Sequence, residues 1–441
     1  MKTQRCKYYL IGGNNEILPA SDDNELKNKC NYNNDDILLK REMQDSLFDM
    51  NNTLIMAFNK YPDLLVDYKI PSKELLDKFR KMNEGVETYM ELKKCKHTHD
   101  NINEKNVLYI AHEINIRRFI QIYINKLYNI NITRGFLKMY DILNKFELID
   151  LTKDHINSFH SCECPGNFIN ATNYWIKKHK PNLVFNWTGN SLNPFNPATL
   201  QKYGNVLSDE YGYLKKYPDR WDYGRDMIGD ITNPENLMFW KSKYNYSIDL
   251  FTSDCGYCET FNNFDNDKML IHLSLCQLLL GLLLLKLGGN IVCKIFLPIN
   301  YPMTISILYL YTMYFENVNI IKQTSGSLSS SEIYVVGQNK TKHLDEFTEK
   351  KLIDIINVKI FDINNVLFDM FPNDFINDIT EISNTYIEKI KIYIESLLYY
   401  IDNPTIFDDH KKNYMKLAKK ICAKKWIKEN DFQLIDKKYM L

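Results

Sequence analysis

Three charged residues stand within or at the ends of sequence runs that are typical of buried strands. Lys294 lies inside the apolar run "NIVCKIFLPI". Ammonium groups are seldom buried without a partner, so this lysine must reach a surface or serve a function. Asp254 ends the run "YSIDLFTSD", and Glu332 begins the run "EIYVVGQN". A lysine beside two carboxylates is either a structural ion pair or a group that can take up a proton.

The elements that must position these residues follow from the apolar patterns between about residues 153 and 340. Short apolar runs predict strands, and longer runs with helical spacing alternate with them. The predicted strands are "HINSFHSCEC", "NLVFNWTG", "YSIDLFTSD", "GGNIVCKIF", "FENVNIIKQ" and "SEIYVVGQN", and the predicted helices are 167–179, 234–243, 266–286 and 302–315. This alternation predicts an α/β fold with a mainly parallel sheet, right-handed crossovers and helices on both faces.

Ligands bind such sheets at the carboxyl ends of the strands. The segment "CECPGNF" follows the first predicted strand, and Pro165-Gly166 predict a tight turn that places the segment's glutamate at this edge. Asp254 and Lys294 end later strands. An antiparallel last strand brings its own beginning, with Glu332, to the same edge. We therefore expect the lysine and the carboxylates to meet at one rim.

The composition is that of a globular protein without net charge. The chain of 441 residues carries 55 basic and 55 acidic side chains, so a polyanion would have to bind a local basic patch. The N-terminus lacks the apolar segment of a signal peptide, and the apolar window 278–285 is too short to cross a bilayer. We expect a cytoplasmic protein that binds no membrane and whose ten cysteines are reduced thiols.

The same patterns predict three regions. Residues 1–104 form an extension that is partly helical around Leu47, Met50, Leu54 and Phe58, with the first 40 or so residues disordered. Residues 105–345 contain a segment of helical pattern, from about 105 to 150, and the α/β domain, and residues 346–441 form a helical extension. One apolar stripe in the last region is typical of a packing face: Ile387, Ile390, Ile394, Leu397 and Ile401.

Four segments, in this order, resemble the FtsJ-like (RrmJ-type) 2′-O-ribose methyltransferases. They are "GDITNPEN", "TSDCG", "GGNIVCKIF" and "SSSEIYVV", and "CECPGNF" precedes them. The similarity is closest to the cap-specific mRNA branch and to its versions in large DNA viruses. It covers about residues 130–340 and implies a Rossmann-like methyltransferase fold with an antiparallel last strand.

The resemblance implies a catalytic tetrad of Lys138, Asp254, Lys294 and Glu332. It also implies that the cofactor is S-adenosylmethionine. The residues expected to bind it are Glu163, Cys164, Pro165, Gly166, Asn167, Phe168, Asp230 and Asp254. Three positions depart from the family pattern. Asn167 and Cys255 replace glycines, and Ser327 stands in place of an arginine.

A ribose hydroxyl needs a base near neutral pH, and Lys294 is the expected base. Burial and the neighbouring charge of Lys138 would lower the pKa of Lys294 and yield a neutral amine, while Asp254 and Glu332 would temper that effect. Methyl transfer then requires alignment of the hydroxyl with the methyl group. The scheme includes no metal.

Other residue clusters have competing interpretations. A zinc site is conceivable from His160, Cys162, Cys164, Cys255 and Cys258, or from Cys95, His97 and His99, although the spacing is poor for a tetrahedral site. A lysine-rich tail around Leu417, Ile421 and Trp426 is either a solvated helix face or an RNA track, and a second possible track is Lys177, Lys178, Lys180, Lys215 and Lys216. Aromatic side chains that could stack on a methylated guanine are Trp187, Trp221, Tyr223 and Tyr257.

We therefore expect an S-adenosylmethionine-dependent RNA 2′-O-ribose methyltransferase that acts on the first transcribed nucleotide of capped mRNA. The alternatives are an enzyme for ribosomal or other RNA, and a non-catalytic RNA- or cap-binding subunit on the same fold. If the source is viral, we expect the protein in the host cytoplasm or the virion, with capping or transcription partners. The sequence leaves the oligomeric state open.

Overall fold

A computed structural model describes residues 53–82, 86, 116–203, 209–256, 263–326, 330–358, 361–402 and 409–441. The strands of these residues form one sheet in the order β1-β6-β7-β5-β4-β2-β3. The strands are β1 (Leu54–Ala57), β2 (His155–Ser161), β3 (Val184–Gly189), β4 (Ile248–Ser253), β5 (Leu285–Phe296), β6 (Phe315–Lys322) and β7 (Glu332–Lys340). The predicted strands from residue 155 onward are thus all present.

The centre of the sheet is parallel, and β7 is inserted into it in the opposite direction. β2 pairs in parallel with β3 and β4, and β4 pairs in parallel with β5. β7 pairs antiparallel with both β5 and β6. This architecture confirms the predicted α/β fold with an antiparallel last strand.

The described residues form twelve α-helices. They are α1 (Lys73–Met82), α2 (Ile116–Tyr128), α3 (Arg134–Lys145), α4 (Asn167–His179), α5 (Pro197–Tyr203), α6 (Tyr213–Lys216), α7 (Pro234–Tyr244), α8 (Asn263–Leu284), α9 (Pro302–Tyr314), α10 (Glu346–Ile356), α11 (Asn373–Asp402) and α12 (Asp409–Glu429). The chain moves in one direction along the sheet from β2 through α4 to β3, and in the other from β4 through α8 to β5. Right-handed crossovers therefore place α4 and α8 on opposite faces.

Helix α8 is the central buried helix of the fold. Its segment Asp267–Leu284 is apolar and long enough to cross a membrane by composition, but 72% of that segment is buried inside the fold. It packs on β4, β5 and α9. Its apolar residues are therefore accounted for by the core, as a buried helix requires.

The segment around Leu54 differs from the prediction. Helical spacing there predicts a helix, but Leu54–Ala57 is the edge strand β1 and pairs antiparallel with β6. The open edge of β6 offers unpaired backbone groups, and pairing with them outweighs the weak local pattern. The predicted N-terminal extension therefore contributes a strand to the sheet of the α/β domain.

Candidate functional site

Four charged side chains from separate elements meet at the carboxyl edge of the sheet. Lys138 on α3 forms an ion pair with Oε1 of Glu332. Nζ of Lys294 lies 3.0 Å from Oδ1 of Asp254 and 4.0 Å from Oε2 of Glu332. The four side chains are between 10% and 22% exposed, so a ligand can reach them although most of their surface is dry.

The strand register explains this meeting. Ser161 and Ser253 are paired on β2 and β4, so Asp254 leaves the sheet beside the loop that follows β2. Phe296 at the end of β5 is opposite Glu332 at the start of β7. Because β7 is antiparallel, its first residue shares an edge with the last residues of its neighbours.

The charge state of Lys294 differs from the prediction. Burial alone lowers the pKa of this lysine, but the attraction of Asp254 and Glu332 outweighs burial and raises the pKa above its ordinary value. Burial would likewise raise the pKa of Glu332, yet Lys138 and Lys294 lower it to about 2. These contacts therefore favour the ammonium form of Lys294 over the expected neutral amine.

Tyr334 belongs to the site, and sequence reasoning missed it. Its buried hydroxyl lies 2.7 Å from Oδ1 of Asp254 and 3.0 Å from Oε1 of Glu332, and its single proton is shared between these acceptors. Lys294 is its cross-strand neighbour. Alternate residues of a strand share a face, so the spacing of Glu332 and Tyr334 was the available signal.

We expect Tyr334→Phe to lower the rate of methyl transfer by about 2- to 10-fold, because it removes one hydrogen bond that aligns the two carboxylates. The thermal midpoint should stay close to that of the unchanged protein, since the ring is retained. Steady-state kinetics with a thermal melt measures both. A rate loss as large as that of a tetrad variant would contradict a purely positioning role.

Lys322 is a second buried residue that the sequence analysis did not place at the site. Its Nζ donates to the backbone carbonyls of Ser330, at 2.6 Å, and Glu332, at 3.0 Å. Its positive charge also contributes to the low pKa of Glu332. Lys322 therefore holds the beginning of β7 in place.

The predicted cofactor loop lies beside this rim, between β2 and α4. Gly166 precedes α4 with φ 110°, and a Cβ there would lie 2.5 Å from the ring of Tyr213. Only glycine adopts that backbone conformation readily. Oδ1 of Asn167 accepts a hydrogen bond of 2.6 Å from Thr133, the residue that caps α3. The two helix starts are thus joined next to the site.

Glu163 is close enough to Asp254 for that carboxylate to contribute to raising its pKa, but it is buried and not exposed at the rim as the sequence predicted. Its side chain is buried, and Oε1 accepts hydrogen bonds from the backbone N–H groups of Phe168, at 2.5 Å, and Ile169, at 3.0 Å. Burial raises the pKa of this carboxyl well above its ordinary value. Glu163 therefore satisfies the first N–H groups of α4 and shapes the loop from inside. Cys164 and Phe168 are buried as well.

Asp230 lies in the turn before α7 and is already surrounded by hydrogen-bond donors. Oδ2 accepts from Lys202, at 3.1 Å, and from the hydroxyl of Tyr203, while Oδ1 accepts from Thr232. Burial opposes ionisation, but these donors outweigh it and lower the pKa of Asp230. Its contact with the cofactor stays a prediction.

Two of the cysteines that were expected to be reduced form a disulfide. Cys162 and Cys255 are 93 residues apart, with their Cα atoms 5.0 Å from each other. Cys162 follows β2 and Cys255 follows Asp254, so the neighbouring strand ends bring them together. Cys255, which replaces a glycine of the family pattern, is thus bonded to Cys162. The disulfide joins the predicted cofactor loop to the end of β4, next to Asp254.

We expect peptide mapping of the alkylated, unreduced protein to yield one crosslinked peptide pair that contains Cys162 and Cys255. Reduction before alkylation should separate the pair. The Cys162→Ser variant is the control and should leave Cys255 open to alkylation after unfolding. Full alkylation of both cysteines without reduction would contradict the bond.

The structure gives other roles to several side chains of the proposed zinc site and of the proposed base-stacking set. The ring nitrogens of His160 lie 2.7 Å from the Thr252 hydroxyl and 2.8 Å from the Ser158 hydroxyl, and burial lowers the pKa of this histidine to about 3. Trp187 and Trp221 are buried and therefore unable to stack on a base in this conformation. Five further members lie outside the described residues: Cys95, His97, His99, Tyr257 and Cys258. Ser327, the departure from the family's arginine, also lies outside them.

Comparisons with known proteins indicate the family to which this fold belongs. The FtsJ-like methyltransferase family model matches residues 132–340. A mimivirus protein from Acanthamoeba polyphaga mimivirus, named as uncharacterized, is 29% identical over 71% of this chain and 39% of its own length. A protein of African swine fever virus, named as a probable methyltransferase, is 28% identical over 57% of this chain and 62% of its own length.

A cellular relative carries a more specific name. The cap-specific mRNA (nucleoside-2′-O-)-methyltransferase 2 of Danio rerio is 31% identical over 46% of this chain and 28% of its own length. In each of these three comparisons, the match covers less than two thirds of the relative's own length. The family match includes all four charged residues of the rim. Residues 132–340 of this chain are therefore an FtsJ-like methyltransferase domain.

Proposed function

We propose that this protein methylates the ribose 2′-hydroxyl of the first transcribed nucleotide of capped mRNA, with S-adenosylmethionine as methyl donor. The observation that carries the proposal is the position of Lys294, a nearly buried amine held between Asp254 and Glu332 with Lys138 on the far side of Glu332. The cap-specific part is supported by the names of the relatives from Danio rerio, Drosophila melanogaster and Mus musculus.

The charges at the rim fit a cationic cofactor. Within the described part of the chain, Asp254 uses Oδ1 for its side-chain contacts with both Lys294 and Tyr334, which leaves Oδ2 for a ligand. The cofactor loop with Gly166 lies next to this carboxylate. S-adenosylmethionine supplies a methyl group on a cationic sulfur when bound. The carboxylate of Asp254 would lie near that positive charge. Gly166, which has no side chain, would let the backbone of the loop approach the cofactor closely.

Lys294 must lose a proton before it can act as a base. Asp254 and Glu332 favour the protonated form by raising the pKa of Lys294. The positive charge of a bound S-adenosylmethionine would lower the pKa of Lys294, because a like charge close by disfavours the ammonium form. The ammonium proton of Lys294 would leave to solvent, and the neutral Nζ would then accept the proton of the ribose hydroxyl as its oxygen takes up the methyl group. Bound S-adenosylmethionine would supply that methyl group and leave as S-adenosylhomocysteine.

The contacts of Lys294 also fix the orientation of its amine. The carbonyl of Asp254 accepts from Nζ of Lys294 at 2.8 Å, and Tyr334 holds the two carboxylates relative to each other. The amine therefore has few accessible orientations. Such restriction lowers the entropic part of the barrier in a reaction that depends on alignment.

The test is transfer of a labelled methyl group to matched short RNAs with and without a 7-methylguanosine cap, followed by nuclease mapping of the labelled nucleotide. Label on the first transcribed nucleotide of the capped RNA alone is the expected result. Equal labelling of both RNAs would replace the cap-specific proposal with a broader RNA substrate. Binding of S-adenosylmethionine in calorimetry without transfer to any RNA would favour the non-catalytic alternative.

A further inference from the structure

The outer surface of α12 carries lysines at every fourth position. They are Lys412, Lys416, Lys420, Lys424 and Lys428, and we refer to them as the lysine row. Side chains four residues apart are neighbours on a helix surface, and each step rises about 6 Å. The lysine row therefore runs obliquely along about 24 Å of the helix.

The opposite side of α12 is packed into the protein. Met415, Ala418, Cys422, Ala423 and Trp426 are buried, and the helix packs along α2. The row is therefore on the solvent side, where four of its members from Lys416 onward are exposed. Leu417 and Ile421 stand beside the row and are 45% and 42% exposed.

The row is a local excess of positive charge in a chain whose total charge is balanced. Helix α12 holds eight lysines and two acidic residues, Asp409 and Glu429. Within the part of the chain that the structure describes, Lys416, Lys420 and Lys428 have no acidic side chain within ion-pair distance. Like charges four residues apart on a helix repel each other, so a bound polyanion would stabilise these three side chains.

Helix α12 is attached to the helix that supplies Lys138. The ring of Trp426 lies 6.1 Å from the ring of Tyr140 on α3, and Asn144 donates to Asn430 at 3.3 Å. Tyr140 is two residues beyond Lys138 and therefore projects from a different side of α3. The lysine row therefore lies on a helix that packs against α3, and its position relative to Lys138 is fixed.

We propose that the lysine row binds the sugar-phosphate backbone of the single-stranded RNA substrate, beyond the nucleotide that reacts. The inference rests on the proposed RNA methyltransferase function and adds a second contact region outside the FtsJ-like domain. Regularly spaced cations match a chain with one charge per nucleotide, and the exposed Leu417 and Ile421 offer apolar surface for bases. The row reads no sequence, since phosphate contacts are the same for every base.

The test compares two full-length variants with equal charge change. Lys416→Gln/Lys420→Gln/Lys428→Gln removes three exposed lysines of the row, and Lys73→Gln/Lys350→Gln/Lys389→Gln removes three lysines on α1, α10 and α11. Binding of a capped RNA of about 20 nucleotides is measured by fluorescence anisotropy between about 0.05 and 0.3 M KCl. The slope of log K against log salt should become about 2 units shallower in the row variant, at about 0.7 per lost phosphate contact, and should not change in the control variant.

The affinity of a capped RNA of about four nucleotides should differ less between the two variants, because a short RNA has fewer phosphates to contact the row. Equal slopes for the two variants would overturn the inference even if methyl transfer is intact. A changed slope together with no methyl transfer by the unchanged protein would leave the RNA surface standing and remove the proposed reaction. Loss of binding to phosphatidylserine vesicles, with an unchanged RNA slope, would show a membrane surface instead and overturn the inference.

Discussion

Lys294→Ala lowers the rate of methyl transfer by about 10²- to 10⁴-fold, the range expected when a general base is removed. The affinity for S-adenosylmethionine changes little, because Lys294 contacts the carboxylates and not the cofactor loop in this structure. Single-turnover transfer to capped RNA measures the first quantity, and calorimetry measures the second. Loss of both together would instead indicate a damaged site.

The far ends of the same two strands provide a matched control. Lys286 on β5 forms an ion pair with Asp249 on β4, as Lys294 does with Asp254 at the other end. Lys286→Ala removes a paired lysine of the same strand without touching the rim. We expect its transfer rate to stay within about 2-fold of the unchanged protein. A Lys294→Ala protein as active as this control would rule out Lys294 as the base.

Asp254→Asn lowers the transfer rate by about 10- to 100-fold, because the hydrogen bond to the ammonium of Lys294 loses its charge. The same change moves the pH dependence in a direction that can be calculated. Asp254 is one of the groups that raise the pKa of Lys294, so its neutralisation lowers that pKa. The rise of the rate with pH, which follows loss of the Lys294 proton, therefore moves to lower pH in the variant.

Profiles of kcat/KM against pH for the two proteins measure this shift. Asp249→Asn is the control, since that residue is paired with Lys153 and Lys286 away from the rim. Its profile should coincide with that of the unchanged protein if both are folded, which a thermal melt checks. A rising limb that moves to higher pH in Asp254→Asn would contradict the assigned electrostatics.

Much of the sheet and the identity of the site residues could be predicted from the sequence alone. The apolar runs that end at Asp254 and Lys294 and the run that begins at Glu332 are local signals, and alternation with helical patterns restricts their connection to right-handed crossovers. Helix α4 was predicted to begin at Asn167 because a Pro-Gly turn precedes it, and it does. These features depend on neighbours in the chain.

Features that depend on distant partners could not be predicted in this way. The helical spacing around Leu54 gave no sign of the unpaired edge of β6, which makes this segment a strand. Cys162 and Cys255 form their bond because β2 and β4 are adjacent, and Glu163 turns inward because the N–H groups of α4 need an acceptor.

The charge of Lys294 is the clearest case. The sequence by itself predicted that a lysine ends a buried strand near two carboxylates, and the family resemblance added Lys138. Only the tertiary structure decided that Nζ lies 3.0 Å from Asp254 and 4.0 Å from Glu332, close enough for attraction to exceed the cost of burial. Electrostatic energy depends on separation and on access to water, and residues far apart in the chain acquire both only when the protein folds.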